Sequence, residues 1–125
     1  MILVDSSGWV EYFVDGPLAD EYAARLRPAS NVITPAIVVY EVYKRLKRDL
    51  TQEHANTAVA AMRRTEIVPL DAQLALRAAD LSLTENLAMA DAIVLATARS
   101  RDAELVTSDA DFRKVSGVTY LAKRA

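Results

Sequence analysis

The chain has no cysteine and only one histidine, His54. Without thiols there is neither a disulfide framework nor a thiolate metal site, and one imidazole cannot build a histidine-rich one, so any metal must be held by oxygen. Glycine and proline are scarce, 3 and 4 in 125 residues, which excludes fibrous repeats and low-complexity disorder. No uncharged apolar run reaches the length of a membrane helix, about 18 residues. The N-terminus, MILVDSSGW, meets an Asp after four residues, unlike a signal peptide. A cytoplasmic protein without membrane contact is the expectation. An excess of positive charge is also missing: 15 Lys and Arg against 17 Asp and Glu leave a net charge of −2, which taken alone argues against a nucleic-acid partner.

What is present is a chain of 52% hydrophobic and 26% charged residues, long enough to bury one core and too short for two. The expected domain therefore runs over 1–125. Its bases are clustered: Lys44, Arg45, Lys47 and Arg48; Arg63 and Arg64; Arg99 and Arg101; Arg113 and Lys114; Lys123 and Arg124. If some acids are sequestered with bound cations, the remaining surface is effectively positive, as contact with a phosphate backbone requires.

Short β-rich runs alternate with longer helical patterns. Strands are expected at Ile2 to Asp5, Asn31 to Thr34, Glu66 to Leu70, Glu104 to Thr107 and, weakly, Val118 to Leu121. Helical spacing covers Gly8 to Val14, Leu18 to Leu26, Pro35 to Asp49, Thr51 to Arg63, Ala72 to Glu85 and Ala90 to Arg101, with a short turn near Ala110 to Lys114. Pro35 is expected just inside its helix, with Thr51 and Asp71 at cap positions. Strands separated by helices imply right-handed crossovers, hence an α/β fold: a three-layer α/β/α sandwich around a mainly parallel sheet of about five strands. Strand order is not readable from these patterns.

The chemically informative acids are those embedded in apolar sequence, because an unpaired buried carboxylate costs several kcal/mol. Asp5 closes the run Ile2-Leu3-Val4 at a strand's carboxyl end, where open α/β sheets form ligand crevices, or else it caps the following helix. Glu41 lies in AIVVYEVY, a stretch apolar almost all round that implies a helix buried on more than one side. Either Glu41 faces a cation or it pairs with Lys44 and Arg45 at i+3 and i+4. Asp91 is the only charge between Leu87 and Ala98, and either serves a site or caps its helix. Asp109 follows Leu105-Val106-Thr107, with Asp111 two residues on. Thr107 and Ser108 could orient these acids or simply cap the turn.

Two carboxylates at one edge of a parallel sheet, joined by two from helices packed on it, would form a crevice of dense negative charge that a divalent ion resolves. All-oxygen ligation suits Mg²⁺ or Mn²⁺, and such sites characteristically hold phosphate oxygens. Metal-assisted phosphoryl chemistry follows, with no covalent protein nucleophile, in a chain that offers no Cys and no evident Ser-His pair.

The segments DSSGW, TPAIVVYEVYKRL, MADAIVLATA and TSDADF, in that order, resemble the successive motifs of PIN-domain ribonucleases, specifically the VapC-like toxins of toxin-antitoxin pairs. The resemblance spans nearly the whole chain. It implies a metal-dependent endoribonuclease using Mg²⁺ or Mn²⁺, inhibited by a small VapB-like antitoxin. By the same resemblance Asp5, Glu41, Asp91 and Asp109 are the catalytic acids. Asp5, Asp91 and Asp109 are then the metal ligands, with Ser6, Thr107 and Asp111 in support; Ser6 stands where many relatives have Thr. A homodimer is implied as well, which the apolar surface around Val39, Tyr40 and Tyr43 independently favours unless it is internal core. Lys44, Lys47 and Arg48 are the candidate RNA-phosphate contacts. Two rivals, a receiver domain and an Asp-nucleophile phosphatase, also place acids at strand ends, but neither accounts for Glu41, and the DxD-like Asp109-Ala-Asp111 comes too late in the chain for a phosphatase. A PIN-like scaffold that binds without cutting would be expected to lack one of the acids.

Overall fold

Five short runs rich in β-branched and aliphatic residues extend into strands: Ile2–Val4 (β1), Val32–Pro35 (β2), Glu66–Val68 (β3), Glu104–Thr107 (β4) and Val118–Tyr120 (β5). The computed structural model, which describes residues 1–123, pairs them all in parallel in the order β3-β2-β1-β4-β5. Ile2 lies opposite Val32 on one side and Glu104 on the other. Leu3, Val4, Val32, Ile33 and Val106 are fully buried although successive side chains point to opposite faces, so helices cover the sheet on both sides. The result is the expected three-layer α/β/α arrangement. Arg124, in the last basic pair, and residue 125 of the expected domain lie outside the described residues.

Between the strands run Ser6–Phe13 (α1), Ala19–Arg25 (α2), Ala36–Asp49 (α3), Gln52–Met62 (α4), Ala72–Glu85 (α5) and Met89–Ser100 (α6), with 3₁₀ turns at Ala29–Asn31 and Ala110–Phe112. Thr51 and Asp71 cap as expected, accepting the backbone N–H groups of His54 at 3.1 Å and Leu74 at 2.8 Å. Asn86, in the left-handed conformation, ends α5. Among the described residues no single helix is long and apolar enough to cross a membrane.

Three local expectations are corrected. β1 stops at Val4, and Asp5 becomes the cap of a helix that begins at Ser6, two residues before Gly8, because its carboxylate takes the Gly8 N–H. Pro35 is not inside α3: with ψ at 144° it is the last residue of β2, in register with Val68. Nor is α3 buried on more than one side. Its buried stripe is Val38, Val42 and Leu46, at i, i+4 and i+8, while Tyr40 is 57% exposed. That exposure removes Tyr40 from the internal core.

One acid escaped the sequence reading. Glu11 sits in the apolar stretch Trp9-Val10-Glu11-Tyr12-Phe13 with the same signal as the others, and it is 3% exposed. Its carboxylate accepts the Leu18 N–H at 2.8 Å and faces Lys123 Nζ at 3.2 Å, tying α1 to the start of α2 and to the end of the described chain. A Cβ at Gly16 would stand 2.4 Å from that carboxylate, so the turn closes on it only with glycine. Glu11→Ala is expected to destabilise the fold by roughly 1–3 kcal/mol by leaving the partly buried Leu18 N–H without its acceptor and Lys123 without its ion pair, with Glu11→Gln milder because it keeps an acceptor. Urea unfolding of both variants checks this.

Candidate functional site

The strand order creates a switch point. After β1 the chain crosses to β2 on one side, and after β4 it crosses to β5 on the other, so the crevice beyond the carboxyl ends of β1 and β4 is left open. Asp5 follows β1 directly, and Thr107, Ser108 and Asp109 lie at the end of β4.

Here Thr107 is the hub. Fully buried, it donates its hydroxyl to Asp5 Oδ2 at 2.6 Å and accepts the Asp109 N–H at 2.9 Å. Ser7, one residue beyond the Ser6 singled out from the motif, donates to Asp5 Oδ1 at 2.7 Å and accepts the Ser108 N–H at 3.0 Å. Two short side chains thus bolt the first acid to the loop that carries the last one. Tyr22, from α2, is fully buried behind them. Its hydroxyl lies 2.6 Å from Ser108 Oγ, and a Cβ at Gly8 would come within 2.3 Å of its ring. Gly8 is therefore needed for α1 to close on Tyr22. Nothing in the pattern around Tyr22 marked it, whereas Ser7 could have been found as the second hydroxyl in Asp-Ser-Ser.

Asp91 enters from the first turn of α6. It does not cap that helix, whose cap position is Ala88. The carboxylates of Asp91, Asp109 and Asp111 bring one oxygen each to within 4.8 Å of one another. Asp111 reaches this group because the 3₁₀ turn after β4 wraps the chain around, with its own N–H held by Asp109 Oδ1 at 2.9 Å. Glu41, half-buried on α3, has no ion-pair partner among the described residues: Lys44 turns to the Tyr40 hydroxyl and Arg45 to Asp49. The helical salt bridge is thereby set aside.

The acids sense one another. Burial, followed by repulsion from Asp109, Asp111, Asp5 and Glu41, pushes the Asp91 carboxyl up to about 7. Burial also lifts Asp5 to about 6, partly offset by the Thr107, Ser7 and Gly8 hydrogen bonds. Glu41 is raised by burial and by Asp109, with the neighbouring Ser6 hydroxyl acting against the shift. Clustered carboxylates with upward-shifted pKa values repel each other until a cation or protons neutralise them. The structure thus gathers Asp5, Glu41, Asp91, Asp109 and Asp111 in one crevice, with Ser6 beside Glu41 and Thr107 beneath Asp5. Of the basic candidates, Lys44 and Arg48 line a cavity shared with Glu41, whereas Lys47 folds its Nζ over the Tyr43 ring at 5.6 Å.

Residues 2–118 match the family model described as the PIN domain. No curated protein matches the chain in sequence. Among solved structures, a toxin-antitoxin complex from Klebsiella pneumoniae superposes with a TM-score of 0.78 at 25% identity, over 95% of this chain and 96% of that one. VapC20 of Mycobacterium tuberculosis, described as a sarcin-ricin loop cleaving toxin, gives 0.76 at 24% identity over 94% and 97%. VapBC2 of Rickettsia felis, bound to a DNA fragment from its promoter, gives 0.76 at 18% identity over 98% of each chain. A family match over nearly the full length, on a sheet whose switch point carries the acids, settles the assignment: the chain belongs to the PIN domain family and has the fold of its VapC-type toxins.

Proposed function

We propose that this protein is a metal-dependent endoribonuclease that hydrolyses RNA phosphodiester bonds and acts as the toxin of a toxin-antitoxin pair. The observation that carries the reading is the convergence of Asp91, Asp109 and Asp111, one carboxylate oxygen of each within 4.8 Å of the others, with no ion-pair partner among the described residues. An all-oxygen donor set of this kind fits Mg²⁺ or Mn²⁺. Asp91, Asp109 and Asp111 would hold the ion, with Asp5 and Glu41 completing the pocket. A divalent cation bound there supplies charge neutralisation at the phosphate and greater acidity of water. The chain itself supplies orientation. Thr107 holds Asp5 Oδ2 while Ser7 and the Gly8 N–H hold Oδ1, so Oδ2 keeps a free lone pair, and Thr107 fixes the turn that aims Asp109 and Asp111. In this reading Glu41, whose pKa burial raises, accepts a proton from attacking water or orients it.

An antitoxin partner, a homodimer and a cytoplasmic location belong to the same proposal. Among the described residues the most exposed large apolar side chains lie on α5 and α6, namely Leu76, Leu83 and Met89 at 70%, 85% and 72%, and Met89 lines an apolar cavity of about 350 Å³ between these helices. We assign self-association to that face rather than to Tyr40. The decisive experiment is a cleavage assay on total cellular RNA, with antitoxin-free protein in chelator, Mg²⁺ or Mn²⁺. Cutting that needs the ion supports the reading. Intact RNA in every lane would replace it with a binding scaffold.

A further inference from the structure

Resting on the ribonuclease reading, we infer that Tyr40 is a stacking platform for one unpaired base of the RNA, beside the phosphate-binding bases of α3. Tyr40 immediately precedes Glu41, so the ring and a carboxylate of the crevice leave neighbouring positions of one helix. Tyr40 and Glu41 line the same open cavity of about 250 Å³, together with Ser6, Lys44, Arg45 and Arg48, the space of roughly eight water molecules. The ring is 57% exposed and carries no aromatic partner among the described residues. A large aromatic surface held open next to cations is costly in water and matches a ligand that is flat, apolar on its faces and anionic at its edge.

The charges fit the same ligand. Lys44 Nζ sits 5.4 Å from the Tyr40 ring centroid and donates to its hydroxyl at 3.3 Å, without a carboxylate partner among the described residues. Among the described residues Arg45 and Arg48 share Asp49 as their one carboxylate partner, at 3.8 and 2.7 Å, and are more than half exposed. Three cations against two carboxylates, Glu41 and Asp49, leave a net positive charge along the stripe 44, 45 and 48, one to two helical turns beyond Tyr40. Phosphates can follow that stripe while a base leaves the strand and lies on the ring, which is how single-stranded RNA is bound without reading its sequence. A duplex cannot offer such a base. The platform therefore selects single-stranded or looped RNA and fixes the strand relative to Glu41.

The test is fluorescence anisotropy of a labelled single-stranded oligoribonucleotide in chelator, where nothing is cut, with wild type, Tyr40→Phe and Tyr40→Ala. Loss of the ring in Tyr40→Ala is expected to weaken binding about 10-fold, at the low end of one base-aromatic stack, with Tyr40→Phe within about 2-fold of wild type. Moving an abasic spacer along the oligonucleotide should reveal one position where loss of the base weakens wild type by a similar factor and adds nothing to Tyr40→Ala. Equal affinity of Tyr40→Ala and wild type overturns the platform while leaving the nuclease reading intact. A Tyr40→Ala variant of altered oligomeric mass overturns it in favour of contact with a second copy. Absence of RNA binding by wild type in chelator overturns the platform, while the nuclease reading stands or falls separately on the cleavage assay with Mg²⁺ or Mn²⁺.

Discussion

Asp91→Asn is expected to reduce metal-dependent RNA cleavage by roughly 10³-fold or more while raising the melting temperature of the metal-free protein at pH 8. The two effects share one cause. The carboxylate is half-buried and lies against four others, so it is the group whose charge the metal-free protein tolerates least and the cation needs most. Asparagine preserves shape and one oxygen but removes the charge, so ligation fails and repulsion is relieved, a trade between stability and activity common at functional sites. Initial rates with saturating Mn²⁺ and thermal melts in chelator check both arms. A variant that cuts as fast as wild type would remove Asp91 from the mechanism.

The second large effect is a stability that declines with pH. Asp5 and Asp91, near 6 and 7 in the folded protein against an ordinary value of 3.8, bind protons more tightly folded than unfolded. Their contribution is therefore complete below about pH 4 and is lost as pH rises through 6 and 7. For the buried Asp5 this amounts to on the order of 3 kcal/mol; Asp91, half-exposed and screened by water, adds less. Metal-free protein should melt on the order of 10 °C lower at pH 8 than at pH 5. Millimolar Mn²⁺ at pH 8 should restore the difference by binding only the assembled, ionised cluster, whereas sodium chloride of equal ionic strength should not. Stability that rises between pH 5 and 8 in chelator would contradict the carboxylate cluster.

The legible parts of this molecule are those whose physics is local. Asp5, Glu41 and Asp91 announced themselves as charges in apolar surroundings, and alternating β and helical periods gave the layered α/β architecture. Long-range pairing was illegible, because nothing in Ile2–Val4 states that its neighbours are Val32–Pro35 and Glu104–Thr107. With the pairing went the switch point: a crevice at the carboxyl edge is expected from Asp5 and Asp109, but not that β1 and β4 flank it side by side. The approach of Asp111 to Asp91 is not legible either, because it depends on a single 3₁₀ turn, a geometry that spacing does not encode. Glu11 was legible by the criterion that picked Glu41 and was passed over, although its burial holds a turn rather than a site. Pro35 shows the limit of a positional rule: a proline favoured inside a helix start is equally at home closing a strand.

The adjacency of β1 and β4 also governs when this molecule becomes capable of chemistry. Asp5 is synthesised about a hundred positions ahead of the Thr107 hydroxyl that orients it and of the Asp109 and Asp111 carboxylates. Pairing across such a separation carries a large loop-closure entropy and is a late step in folding. A nascent chain still lacking β4 has its first acid on an unpaired strand edge and no crevice at all. On the ribonuclease reading, this topology ties the onset of chemistry to the docking of β4, not to the synthesis of the first acid.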